Sequence, residues 1–258
     1  MTLELLPLLA LLGGGPTPAT TGILLDALAG DGVALRHAVY LPRDYDPARR
    51  WPLVLFLHGS GESGTDGVRQ LSQGLGPAIL ADPQRWPAIV LYPQKPTQTA
   101  EWEQHEGALL ALVDAARRRW AVDPSRIVLT GLSQGGHGSW VLGARHAGLW
   151  AAVVPICGYA GARRGDPGLP APFTGTAMAL APALVAIPVW AFHGEADDTV
   201  PVGETRTLVK ALRAAGGDPR VTIYPGVGHG SWDPAYRDEA LPRWLFAQRR
   251  SNGATAKP

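Results

Sequence analysis

Apolar residues in this chain fall into two kinds of pattern that alternate along its length. Short runs rich in Val, Ile and Leu, closed off by turn residues, occupy 34–41, 53–58, 88–92, 126–130, 151–156, 189–193 and 221–224. Their length and β-branched content predict strands. Between them, apolar residues recur at spacings of three and four. In 103–120 this gathers Ala108, Leu109, Leu112, Val113 and Ala116 on one helical face, and in 202–215 it gathers Leu208, Val209 and Leu212; 237–248 closes the chain in the same way. Several strands are nearly unbroken apolar runs, as expected where a parallel sheet is covered on both faces. The pattern therefore predicts the α/β class: one mostly parallel, doubly wound sheet in a single domain. The run at 34–41 precedes the alternation and fits an antiparallel edge.

Two stretches depart from this rhythm. Residues 159–187 are rich in Gly, Pro and Ala and separate two strands by more than a compact loop needs. Long excursions of this kind are often lids, and the apolar piece 177–185 is suited to a short helix over the site; a linker without a role fits the same composition. At the start, Leu5-Leu-Pro-Leu-Leu-Ala-Leu-Leu12 is a short apolar core followed by small residues. It is too short to span a bilayer and fits the hydrophobic part of a secretory signal, although Glu4 stands where a positive charge is usual. The expected organisation is a leader at 1–22, a catalytic domain at 23–250 and a tail at 251–258. Export to a secreted or periplasmic location is the expectation, with the cytoplasm as the alternative.

Composition narrows the classes. A net charge of +1 over 258 residues gives no reason to expect nucleic acid as a partner. The basic run Arg117-Arg118-Arg119 falls at a helix end, where cations complement the helix dipole. Cys157 is the single cysteine, which excludes an intrachain disulfide, and its apolar surroundings mark it as a small core residue. The histidines other than His229 share no spacing with carboxylates that suggests zinc, so neither a metal nor a cofactor is expected.

The candidate chemistry lies at Gly131-Leu-Ser-Gln-Gly135, which directly follows an apolar run. This is the G-x-S-x-G nucleophile elbow, a sharp strand-to-helix turn that holds a serine oxygen exposed at its apex. Serine needs a base, and the base needs an orienting acid. Downstream, Asp197 leaves the end of the 189–193 strand and His229 sits in the loop after 221–224. The order serine, acid, histidine at the carboxyl ends of parallel strands allows Ser133, Asp197 and His229 to converge. Asp197 is preferred to its neighbour Asp198, with Glu195 third. Two backbone donors are expected for a developing oxyanion: the amide of Gln134, and that of Ser60 in the loop Leu57-His-Gly-Ser-Gly-Glu-Ser-Gly64, with Gly61 next in line. Trp102, Tyr159 and Trp232, with Gly61, are candidates for the cleft lining, and buried packing fits each of the three aromatic residues at least as well. His58 and His193, at strand ends, are placed to buttress the site.

These segments resemble α/β-hydrolase serine esterases of the carboxylesterase and predicted-peptidase group, with feruloyl esterases, polyhydroxybutyrate depolymerases and dienelactone hydrolases as more distant relatives. The likeness rests on Tyr40-Leu-Pro-Arg-Asp-Tyr45, Pro52-Leu-Val-Leu-Phe-Leu-His-Gly-Ser-Gly-Glu62, Gly131-Leu-Ser-Gln-Gly-Gly136, Pro188-Val-Trp-Ala-Phe-His-Gly194 and Gly228-His-Gly-Ser-Trp-Asp233. It implies an α/β-hydrolase fold, Ser133 as nucleophile, Asp197 as acid, His229 as base and Ser60 as an oxyanion donor. Gln134 stands where methionine is common, Gly230 where asparagine is frequent, and 159–187 is longer than usual. The expected activity is hydrolysis of small or aromatic acyl esters or polyesters through an acyl-enzyme. The alternatives are peptidase action with the same three residues and a non-catalytic ligand-binding protein on the same fold.

Overall fold

The computed structural model describes residues 21–160 and 177–250. Most of the leader, the tail, and 161–176 of the expected excursion lie outside the described residues. Among the described residues eight strands form one sheet: β1 (Gly22–Leu25), β2 (Arg36–Leu41), β3 (Trp51–Leu57), β4 (Ile89–Gln94), β5 (Val122–Leu132), β6 (Ala152–Ile156), β7 (Trp190–Gly194) and β8 (Arg220–Tyr224). Their spatial order is β1-β2-β4-β3-β5-β6-β7-β8. The β1–β2 and β2–β4 pairs are antiparallel and every later pair is parallel. The run at 34–41 is thus antiparallel as expected, but it is not the edge. β1 lies outside it, a four-residue strand whose side chains alternate between half-buried and exposed.

Helices cover both faces. α2 (Glu106–Arg119), α3 (Gln134–Arg145), α4 (Ala177–Leu184) and α5 (Gly203–Ala214) lie on one side; α1 (Leu75–Ala81), α6 (Trp232–Arg237) and α7 (Ala240–Ala247) lie on the other. β3 shows why its sequence reads as continuous apolar. Leu53, Leu55 and Leu57 join the core under the first group, whereas Val54 and Phe56 join the core under the second. Successive side chains point to opposite faces, and each face is dry. The predicted helical faces follow: Leu109, Leu112, Val113 and Ala116 of α2 are buried, as are Leu208, Val209 and Leu212 of α5. Arg117, Arg118 and Arg119 form the last turn of α2.

α4 corrects one expectation. A helix forms where the 177–185 pattern suggested, but it does not cover the site. Ala177, Leu180, Ala181 and Leu184 are buried in the core shared with α3 and α5, and the helix serves as part of the β6–β7 crossover. Four small or apolar residues on one face of so short a helix are best satisfied by the sheet layer. No helix among the described residues is long and apolar enough to cross a membrane.

Candidate active site

β5 runs up the middle of the sheet and stops at Leu132; α3 begins two residues later. Between them Ser133 holds φ 54° and ψ −115°, a conformation that a side-chain-bearing residue adopts only under constraint. Two bonds pin it: the Ser133 amide donates to the Ile156 carbonyl at 2.9 Å, and its carbonyl accepts from the His137 amide at 2.9 Å. The flanking glycines make room for the turn. A Cβ on Gly135 would run into the Leu57 carbonyl and lie 2.8 Å from the His58 oxygen, and one on Gly131 would press on the Gly135 carbonyl. Gln134 opens α3, so its amide belongs to the helix-start group that has no intrahelical acceptor.

Asp197 and His229 arrive from strand ends toward the β8 edge. His229, in the loop after β8, places Nε2 at 2.9 Å from Ser133 Oγ and Nδ1 at 2.8 Å from Asp197 Oδ2. Asp197 follows β7 and is buried. Its Oδ1 accepts from the amides of Thr199 at 3.0 Å and Val200 at 2.9 Å, which fixes the carboxylate plane and directs Oδ2 at the imidazole. His193 Nε2 stands 3.2 Å from the same Oδ2 and 2.8 Å from the Val200 carbonyl, with Nδ1 at 2.8 Å from Thr205 Oγ1. Desolvation lowers the His193 pKa, so this ring is a neutral buttress for Asp197. Of the three candidate acids, Asp197 is the one that meets His229. Asp198 and Glu195 are exposed, and Glu195 faces Arg206 at 3.3 Å.

The loop after β3 passes beside Ser133. Ser60, Gly61 and Glu62 form a short 3-10 turn, and a Cβ built on Gly59 would lie 3.5 Å from Ser133 Cβ and 3.1 Å from Glu62 Oε2. Sequence reasoning gave Glu62 no role. Its carboxyl is shielded by this loop, and burial raises its pKa. His58 anchors the loop from below: Nε2 accepts from the Lys95 amide at 3.2 Å, and burial pushes the ring pKa down to about 3.

Of the expected cleft residues, Trp232 stands at the site, its ring edge-on to His229 with centroids 5.3 Å apart, and Gly61 is exposed on the loop. Trp102 and Tyr159 take the buried alternative and do not line the cleft. Trp102 is fully buried, wedged between α3 and the loop, and its Nε1 donates to the His58 carbonyl at 3.0 Å. Its Cβ lies 2.8 Å from where a Gly138 Cβ would sit, so α3 accepts this ring only because that position is glycine. Tyr159 is also buried, stacked on His137 at 4.5 Å, with its hydroxyl donating to Glu101 Oε1 at 2.7 Å. Each indole or phenol found an internal acceptor, and this lets a large amphipathic ring turn inward. Cys157 is buried beneath the turn with φ 41°, its thiol pushed up to about 12 by burial, which makes it inert.

The dienelactone hydrolase family model matches residues 82–240. Among solved structures, a thermostable esterase is 33% identical with a TM-score of 0.72, covering 84% of this chain and 59% of its own. A CE1 ferulic acid esterase from Anaeromyces mucronatus superposes with a TM-score of 0.64 at 16% identity, covering 83% of this chain and 85% of its own, a likeness of fold alone. A curated protein of Escherichia coli O157:H7, named provisionally for carboxymethylenebutenolidase activity, is 32% identical over 117 residues, 44% of this chain and 41% of that protein. The match thus spans under half the length of that curated relative. Matched by the family model over more than half of its length, and with the eight-stranded sheet of the α/β-hydrolase esterases, the chain belongs to the dienelactone hydrolase family.

Proposed function

We propose that this hydrolase is a serine carboxylesterase that works through an acyl-enzyme on small or aromatic acyl esters or polyesters. The observation that carries the reading is the continuous hydrogen-bonded relay Ser133 Oγ–His229–Asp197, at 2.9 and 2.8 Å, with the serine at a strained elbow. With the Nδ1 proton held by Asp197, His229 presents a bare Nε2 to the serine hydroxyl. His229 takes the proton as Ser133 Oγ attacks the acyl carbon, and the imidazolium is stabilised by the buried Asp197 carboxylate. The amides of Gln134 and Ser60 receive the tetrahedral oxyanion. His229 then returns the proton to the departing alcohol, and water repeats the cycle in reverse to free the acid.

The test is the time course of 4-nitrophenyl acetate hydrolysis, run alongside short peptide anilides. The proposal expects a burst of about one product per active site, a single organophosphate adduct on Ser133, and loss of both in Ser133→Ala. Equal turnover by wild type and Ser133→Ala refutes the nucleophile. Faster cleavage of the anilides than of the esters refutes the esterase reading in favour of a peptidase, and saturable ester binding without turnover refutes catalysis.

A further inference from the structure

Behind the nucleophile helix lies a second group of chemically active side chains that the proposed relay does not use. His137 is on α3, one turn beyond Ser133, and is fully buried. Glu101 immediately precedes, and Glu103 lies within, the 3-10 turn Trp102–His105 that leads into α2. A carboxylate oxygen from each glutamate and a ring nitrogen of His137 all lie within 4.8 Å of one another. His137 and Glu103 are 34 positions apart in the chain, so no local spacing announced the group.

Three observations point to a cation. First, the His137 ring is oriented as a ligand: Nδ1–H donates to the Tyr159 carbonyl at 2.8 Å, which leaves Nε2 facing Glu103 Oε1 at 3.3 Å. A backbone carbonyl on the far nitrogen is the usual way a metal-binding imidazole is aimed. Second, both carboxylates are buried and underused. Glu101 is 1% exposed and the Glu103 side chain 5%, and Oε2 of each has no hydrogen-bond partner among the described residues. A buried charged oxygen without a partner is costly. Third, the group itself sets two carboxylates against one ring, and a divalent cation beside a neutral imidazole would offset both.

We propose that Glu101, Glu103 and His137 form a structural site for a divalent metal ion, with zinc the best match. One imidazole nitrogen with two carboxylates suits a borderline ion; calcium and magnesium prefer oxygen-only sets. Ligands at about 2 Å from a tetrahedral ion stand roughly 3.3 Å apart, so binding closes the group inward by side-chain rotation. The ion would tie the nucleophile helix to the start of α2. Its effect is therefore on stability and not on the ester chemistry.

The experiment uses the untagged full chain, stripped with a chelator, incubated with zinc chloride and desalted. Elemental analysis is expected to find one zinc per chain. Thermal melts are expected to rise by about 5–10 °C at a hundredfold excess over Kd. Glu103→Gln and Glu101→Gln each abolish uptake and the rise, whereas His229→Asn, which alters the relay, retains both. Circular dichroism confirms that each variant is folded. If Glu101→Gln fails to fold, Glu103→Gln decides alone. The proposal is overturned if wild type retains no zinc, if the glutamine variants bind it as well as wild type, or if His229→Asn abolishes binding and so moves the ion to the relay.

Discussion

Replacing Asp197 by asparagine changes almost no volume, yet the surroundings dictate which way the new amide must face. The backbone N–H groups of Thr199 and Val200 point at Oδ1, at 3.0 and 2.9 Å, so the amide oxygen belongs there. The NH2 then occupies the Oδ2 position, 2.8 Å from His229 Nδ1. Two donors cannot face each other, so His229 must shift its proton to Nε2. That nitrogen then donates toward Ser133 Oγ and can no longer act as its base. His193 Nε2, which donates to the Val200 carbonyl and stands 3.2 Å from the same position, favours the reversed orientation, but that orientation sets the NH2 against two backbone N–H groups that cannot move their protons. In a serine relay the wrong tautomer costs about 10⁴ in kcat, which corresponds to about 5.5 kcal/mol of transition-state stabilisation. Loss of hydrogen bonds at a buried position costs about 1–3 kcal/mol of folding stability. The assay is kcat for 4-nitrophenyl acetate at pH 7.5, with urea unfolding as the control for folding. Asp197→Ala removes the misplaced donor and leaves His229 free to choose its tautomer, so it is expected to retain more activity than Asp197→Asn. A folded asparagine variant within tenfold of wild type would refute the assigned role of Asp197.

Three further substitutions probe the scaffold around the site. Gly135→Ala must push α3 away from the Leu57 and His58 carbonyls; it is expected to lower stability by about 1–3 kcal/mol and kcat/KM by about 10²-fold, and wild-type turnover would show that the elbow has slack. Trp102→Ala removes a fully buried ring and its bond to the His58 carbonyl; urea unfolding should show a loss of about 3–5 kcal/mol, and a loss under 1 kcal/mol would contradict its wedge role. His58 has a folded-state pKa pushed down to about 3 by burial, so it stays neutral in the folded chain while the unfolded chain takes up a proton below about 6.5. Its contribution is fully present above pH 6.5 and declines as pH falls toward 3, by about 2–3 kcal/mol between pH 7.5 and 4.5. Folded His58→Gln should therefore show a shallower fall in urea midpoint over that interval than wild type, and identical slopes would refute the assignment.

Sequence patterns that recur along one element were readable in advance; features made by distant segments were not. The central strands announced themselves because both faces are buried, so β3 and β5 carry continuous apolar runs. β1 did not, since four residues with alternate exposure on an edge give a weak signal next to an apolar leader. α1 was hidden by Gly76 and Pro77, residues that usually argue against a helix interior; Gly76 is required there because a Cβ would strike the Leu71 carbonyl. Ser133, Asp197 and His229 could be placed because parallel strands deliver their carboxyl ends to one edge. For Trp102 and Tyr159 cleft lining and buried packing stayed open, because an aromatic residue near a site reads the same whether its polar atom meets solvent or an internal acceptor. Glu101, Glu103 and His137 meet only through the packing of the turn before α2 against α3.

The relay is distributed unevenly across the sheet. Ser133 hangs from β5, which has a parallel neighbour on each side, whereas His229 follows β8, which among the described residues pairs only with β7 and is half exposed along its length. Backbone opening is more frequent at sheet margins than at their centres. Amide hydrogen exchange should therefore be slow through β5 and faster through β8, so the segment bearing the proposed base opens first. Mild denaturant would then silence turnover while tryptophan emission still reports an intact core, making inactivation a local event and not the first sign of global unfolding.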